Sequence, residues 1–166
     1  MSHCRKNIPL RELRTHGRGR AVRLPDCDYA GDADIHMTIG ADSRHPFADA
    51  DLARLTCDSV AKSCEILGYR VYGFTLMPDH LHVLLSPVDS GRPISDWLQS
   101  FKGYTTSQYM KRSGLPRLWQ PSGHDHVCRT EETAERVLIY IVNNPVRAGL
   151  VERWQDWPWT RVFIEL

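Results

Sequence analysis

The stretch "YRVYGFTLMPDHLHVLLSPV", residues 69–88, decides how this 166-residue chain folds. Two runs rich in β-branched, aromatic and aliphatic residues, 69–77 and 80–88, flank Pro78 and Asp79. Proline and aspartate punctuate turns, so the runs read as two strands of an antiparallel hairpin. Residues two apart on a strand share a face. His80 and His82 therefore project side by side, while Leu81, Val83 and Leu85 turn the other way, into a core. Two imidazoles on one strand are a start on a divalent-metal site, which also needs a third protein ligand and open positions for substrate. A half-exposed polar strand face accounts for the same pair, and from these two residues alone both readings stand.

Working outward, "DIHMTIGA" (34–41) reads as a short strand. In "HPFADADLARLTCDSVAKSCEILG" (45–68), Leu52, Leu55, Val60, Cys64 and Leu67 recur at helical spacing, with Pro46 near the start and Gly68 past the end. "RPISDWLQSFKGYTTSQYMKRSG" (92–114) puts Ile94, Trp97, Leu98 and Phe101 on one helical face, and Gly114 and Pro116 stop it. "HDHVCR" (124–129) is a short polar strand. "TEETAERVLIYIVNNPVRAGL" (130–150) is a helix, with Thr130 expected as N-cap, Glu131 and Glu132 in the first turn, and Asn143-Asn144-Pro145 interrupting it. The order strand, helix, strand, strand, helix, strand, helix predicts an α+β fold. The expected plan is a ferredoxin-like (split βαβ) antiparallel sheet with helices mainly on one face. "WQDWPWT" (154–160) reads as a structural cap in which the tryptophans anchor a loop.

With 42% hydrophobic and 25% charged residues, the chain suits one compact domain, expected over 31–166. No run approaches the roughly 20 apolar residues of a membrane span. The polar N-terminus lacks the apolar segment of a secretory signal, so the expectation is a cytoplasmic protein. Five scattered cysteines without a CxxC pair fit neither a disulfide framework nor a zinc knuckle. The net charge of +1 conceals an asymmetry: residues 1–23 hold seven Arg or Lys and one Glu, whereas 24–60 hold eight Asp and two Arg. A basic, flexible N-terminal arm over 1–30, with Arg18 and Arg20 beside glycines, would suit a phosphate backbone, and a solvated tail would look the same.

Other two-histidine chemistries fit less well. A histidine-triad nucleotide hydrolase wants a third histidine where Leu84 stands, and a paired His-x-Thr phosphoesterase wants threonine at 82. His124 and His126 could complete a four-ligand zinc site, although the spacing does not require it. Tyr140 and Asn144, four apart on a continuing helix, share a face. A phenol and an amide oxygen aimed at two histidines and a metal would make a phosphoryl-transfer site. Read bottom-up, Tyr140 is equally one aromatic in the apolar run "VLIYIV" (137–142), and Pro145 biases Asn144 away from helical dihedrals.

Together, "GFTLMPDHLHVLL" (73–85), "LWQPSGHDHVCR" (118–129) and "YIVNNPVRAGLV…DWPWT" (140–160) resemble the single-tyrosine HUH transposases, in particular the REP-associated tyrosine transposase branch. The likeness covers roughly residues 34 to 160, with several separate motifs in the right order. It implies His80 and His82 as the HUH histidines and Tyr140 as nucleophile. It also implies Asn144 as the helix residue completing the metal site, where some relatives carry glutamine, with Mg²⁺ or Mn²⁺ as cofactor. Tyr104 and Tyr109 are rivals by residue type that the motif does not select. Asp125 and His126 are implied near the site as supporting or DNA-contacting residues. Trp119 would stack on an unpaired base or pack in the core, with the balance toward core.

The implied activity is cleavage and rejoining of single-stranded DNA beside hairpin or palindromic elements, through a 5′-phosphotyrosine intermediate, by a monomer or homodimer. Two alternatives remain: a non-catalytic module binding structured single-stranded nucleic acid, and a small metal-dependent phosphohydrolase using both histidine pairs. A near-neutral total charge means that DNA contacts would be concentrated on the arm and a few loop residues.

Overall fold

A computed structural model describes residues 34–88, 93–121, 124–127 and 133–166, with only the backbone of 124–127. The basic arm, with Arg18 and Arg20, and the side chains of Asp125 and His126 lie outside the described residues.

The order along the chain is β1 (Ile35–Gly40), α1 (Ala50–Leu67), β2 (Tyr69–Leu76), β3 (His80–Pro87), α2 (Ile94–Ser113), β4 (His124–Val127), α3 (Ala134–Val142), α4 (Asn144–Arg147) and β5 (Thr160–Val162). The strands form one sheet in the order β4-β1-β3-β2-β5, antiparallel at every pairing. This is the expected α+β, split βαβ arrangement. β3, which carries the two histidines, is its central strand and is paired on both edges.

Alternation divides the sheet. Leu81, Val83 and Leu85 of β3 and Ile35, Met37 and Ile39 of β1 are buried on one face, under α1 and α2. Each buried aliphatic there contributes about 1.5–3 kcal/mol. Asp49 caps α1 by accepting from Asp51 and Leu52 backbone N–H groups, and Gly68 closes it in the left-handed conformation at φ 75°.

The opposite face carries His36, Thr38, His80, His82 and Leu84, and α3 lies across part of it. Val137, Leu138, Ile141 and Val142 of α3 cluster with Leu84. Helices thus occupy both faces, two on one and the tyrosine helix on the other. α3 starts later than expected. Its N-cap is Thr133, whose hydroxyl accepts from the Arg136 N–H, and Glu135 rather than Glu131 or Glu132 is the acid of its first turn. Two threonines three apart each meet the capping requirement, and the apolar face of the helix begins only with the second.

The tryptophan-rich C-terminal segment does anchor a loop. Buried Trp157 donates from its indole to the Leu76 carbonyl at 2.9 Å, and Leu76 N–H donates to the Trp159 carbonyl at 3.0 Å. These bonds dock a three-residue edge strand, β5, against β2, an element that the sequence reading did not contain.

Candidate active site

The β1–β3 register sets Thr38 across from His82 and Gly40 across from His80. His80 and His82 are only 7% and 4% exposed, which removes the half-exposed polar face as an explanation. Their Nε2 atoms converge to 3.1 Å. Two nitrogens on one metal with bonds of about 2.1 Å lie about 3.0 Å apart in octahedral and about 3.4 Å apart in tetrahedral geometry. The histidine pair therefore fits a divalent cation.

The outer ring nitrogens are engaged as metal-ligating histidines require. His80 Nδ1 lies 2.6 Å from Asp79 Oδ1, while His82 Nδ1 lies 3.0 Å from Thr38 Oγ1 and 3.2 Å from His36 Nε2. With each Nδ1 carrying the proton and donating it outward, each Nε2 presents a lone pair to the shared space. Asp79, Thr38 and His36 were not singled out from the sequence. The available signal was the alternation in "DIHMTIGA", which places His36 and Thr38 on the face opposite Ile35, Met37 and Ile39.

Tyr140, 43% exposed, comes to the same place from α3 of the same chain. Its ring meets His82 edge-on, with centroids 6.1 Å apart and planes at 81°, and meets His36 at 6.0 Å and 68°. The Arg147 guanidinium lies over the Tyr140 ring, 4.9 Å from its centroid. Asn144 opens α4, and its Nδ2 donates to the carbonyls of Tyr140 at 2.9 Å and Ile141 at 3.1 Å. The amide nitrogen thus closes the end of the tyrosine helix. Among the described residues, no hydrogen bond joins Asn144 to either histidine of the pair. Nor do three or more His, Cys, Asp or Glu side chains form a metal cluster there.

The remaining sequence expectations separate. Trp119 is core, 3% exposed, packed on Phe47 and Phe101 and donating to Thr105 Oγ1 at 2.7 Å, so stacking on a base is not open to it. Tyr109 is buried in the α2 layer, and Tyr104 is exposed on that same layer, across the sheet from the histidines. β4 sets His126 across from His36 and Asp125 across from Met37. A groove of about 670 Å³ between α1 and α2 also lies on the far layer, and its Arg112 and Asp51 pair with each other. It has no part in this site. No helix among the described residues is long and apolar enough to cross a membrane.

Comparison with known proteins places the chain in a family. The family described as "Transposase IS200 like" matches residues 30–144. A REP-associated tyrosine transposase of Escherichia coli K12 is 25% identical over 92 residues, covering 55% of this chain and 53% of that protein. A Haemophilus influenzae protein provisionally given the same name is 26% identical over 112 residues, covering 60% of this chain and 62% of its own. The matches thus span only about half to three-fifths of these relatives. Among solved structures, a REP-associated tyrosine transposase bound to a REP hairpin superposes with TM-score 0.62 at 22% identity, over 80% of this chain and 78% of that one. The likeness at that identity establishes the fold. With the family match across most of the domain, the chain belongs to the IS200-like transposase family and resembles its REP-associated tyrosine branch.

Proposed function

We propose that this protein is a metal-dependent single-stranded DNA nickase and strand transferase that cuts beside hairpin elements through a covalent 5′-phosphotyrosine. The observation carrying the reading is the approach of Tyr140 to the His36–His82 pair, beside two Nε2 atoms converging at 3.1 Å. All of these groups belong to one chain.

In this mechanism Tyr140 Oη attacks the scissile phosphorus. The new O–P bond forms as the P–O3′ bond breaks. The phenol loses its proton to solvent, and the departing 3′ oxygen takes one up. A 3′-hydroxyl can reverse the step and displace the tyrosine, which rejoins strands without a nucleotide cofactor because the phosphodiester energy is kept in the covalent link. His80 and His82 would hold Mg²⁺ or Mn²⁺, with the Asn144 amide oxygen as third protein ligand, and the bound ion would supply Lewis-acid polarisation of the phosphoryl oxygens. Asp79, Thr38 and His36 keep both imidazoles oriented with Nε2 inward. The Asn144 nitrogen already serves the α3 carbonyls, which leaves its oxygen as the acceptor. The proposed DNA partner is single-stranded with a hairpin or palindrome, by analogy with the REP hairpin in the similar structure.

Covalent trapping tests this. The protein is incubated with Mn²⁺ and labelled single-stranded DNA covering the sequences on either side of its gene, and also with a randomised hairpin pool. Products are then separated under denaturing conditions. A metal-dependent shifted band supports the reading. Hairpin binding with no band from any substrate would overturn it in favour of a non-catalytic binding module. Multiple turnover on a nucleotide, unaffected by Tyr140→Phe, would indicate a phosphohydrolase instead.

A further inference from the structure

The cation over Tyr140 is set apart by its seat on an aromatic ring. Arg112, Arg117, Arg153 and Arg161 each reach a carboxylate, on Asp51, Asp42, Asp156 and Asp58 respectively, whereas Arg44, Arg54, Arg70 and Arg136 have no such ion pair among the described residues and lie exposed. Arg147 has no such ion pair among the described residues, and its guanidinium lies instead over the ring of Tyr140. The backbone holds it there. After α3 ends at Val142, the Asn143-Asn144-Pro145 turn starts a new helical turn in which Arg147 N–H donates to the Asn143 carbonyl at 3.0 Å. The Leu150 N–H closes back on the Pro145 carbonyl at 2.9 Å.

A guanidinium held over an aromatic ring keeps its N–H donors available, and those donors match two oxygens of a phosphate. An arginine that is exposed, without a carboxylate partner and beside a phenol is placed to receive an anion that arrives at that phenol. We propose that Arg147 is a further catalytic residue of this site: seated on the Tyr140 ring, it binds the phosphate that the tyrosine attacks. The inference rests on the reading of Tyr140 as nucleophile. It makes and breaks no bond of its own. Arg147 holds the non-bridging oxygens while Tyr140 Oη bonds to phosphorus and O3′ leaves, so nucleophile and electrophile are aligned by one side chain that touches both.

The test uses the full chain. Wild-type protein with Mn²⁺ first maps the nicked linkage. If no adduct forms with any DNA, the nucleophile reading fails and takes this proposal with it. Binding is then measured in EDTA, in the Tyr140→Phe background, to two oligonucleotides that differ only by a neutral methylphosphonate at the mapped linkage. Arg147→Ala is expected to weaken binding to the phosphate oligonucleotide about 10-fold and to lower the salt slope by about one. The methylphosphonate oligonucleotide should be bound alike with and without Arg147, and Arg147→Lys should recover part of the loss. Equal weakening on both oligonucleotides would assign Arg147 a general or structural role and overturn the proposal, as would no weakening on either.

Discussion

Leu138 Cδ1 occupies the space that a side chain on Gly73 would need: a Cβ there would stand 2.6 Å from it and 2.9 Å from the Arg161 carbonyl oxygen. The helix that brings Tyr140 to the histidines therefore rests directly on the backbone of β2. Gly73 adjoins the irregularity in the β2–β3 pairing, where Tyr72 falls between the partners of Leu85 and Leu84.

Gly73→Ala should force α3 or β5 outward, at a cost of about 1–3 kcal/mol, the usual penalty for overpacking. Because Tyr140 lies two residues beyond Leu138 on the same helix, adduct formation should slow more than hairpin affinity falls. Urea denaturation and single-turnover trapping read the two effects. A variant with parental stability and parental rate would show that α3 does not rest on β2 in this way.

Tyr140→Phe keeps the ring between His36, His82 and the Arg147 guanidinium but removes the oxygen proposed to attack. Covalent attachment should vanish while hairpin binding stays within about 2-fold, since a fold retained with one hydroxyl removed changes few contacts. Tyr104→Phe and Tyr109→Phe, on the far helix layer, should leave the adduct in place. An adduct that survives Tyr140→Phe would remove it as nucleophile.

Asp79→Asn leaves an oxygen acceptor 2.6 Å from His80 Nδ1 but takes away its charge. Losing such a carboxylate partner typically lowers metal affinity by 10–100-fold, roughly. Mn²⁺ titration followed by electron paramagnetic resonance should show that loss, and His82→Ala should abolish tight binding altogether. Parental Mn²⁺ affinity in both variants would exclude the histidine pair as the metal site.

Much of this was legible in residues 69–88, because alternation on a strand is local: Leu81, Val83 and Leu85 against His80 and His82 fixes a core face and a chemical face. α1 was equally legible through its apolar spacing and Gly68. What escaped was long-range. His36 is a single histidine in a six-residue strand, and it reaches His82 only through the β1–β3 register, 46 residues away. Asp79 read as a turn residue, and nothing local marks its carboxylate as a partner of His80. The amphipathic pattern of α3 showed which of its faces is apolar but not which side of the sheet it would cover. Gly73 against Leu138 supplies that answer, and only after folding. β5 is three residues long, held by Trp157 and Trp159 bonding to Leu76 across the chain. A fragment that short carries too little periodicity to be seen.

The buried thiols yield a last prediction. Burial pushes both Cys57 and Cys64 up to about 12, from the value near 9 of a free thiol. Both are free cysteines packed in the core under α1. At neutral pH they should resist alkylation in the native protein and react readily in urea, as peptide mapping by mass spectrometry would show. The same shifts tie stability to pH. The folded state keeps these protons to higher pH than the unfolded chain, so their contribution is whole below about pH 9 and is lost as pH rises toward 12. By pH 10 the loss is on the order of 1 kcal/mol per thiol. A Cys57→Ala, Cys64→Ala variant should start less stable because two core side chains shrink, yet lose less between pH 8 and pH 10 than the parent. Parallel losses in the two proteins would mean that these thiols are solvated in solution and that the packing of α1 on the sheet is looser than the structure shows.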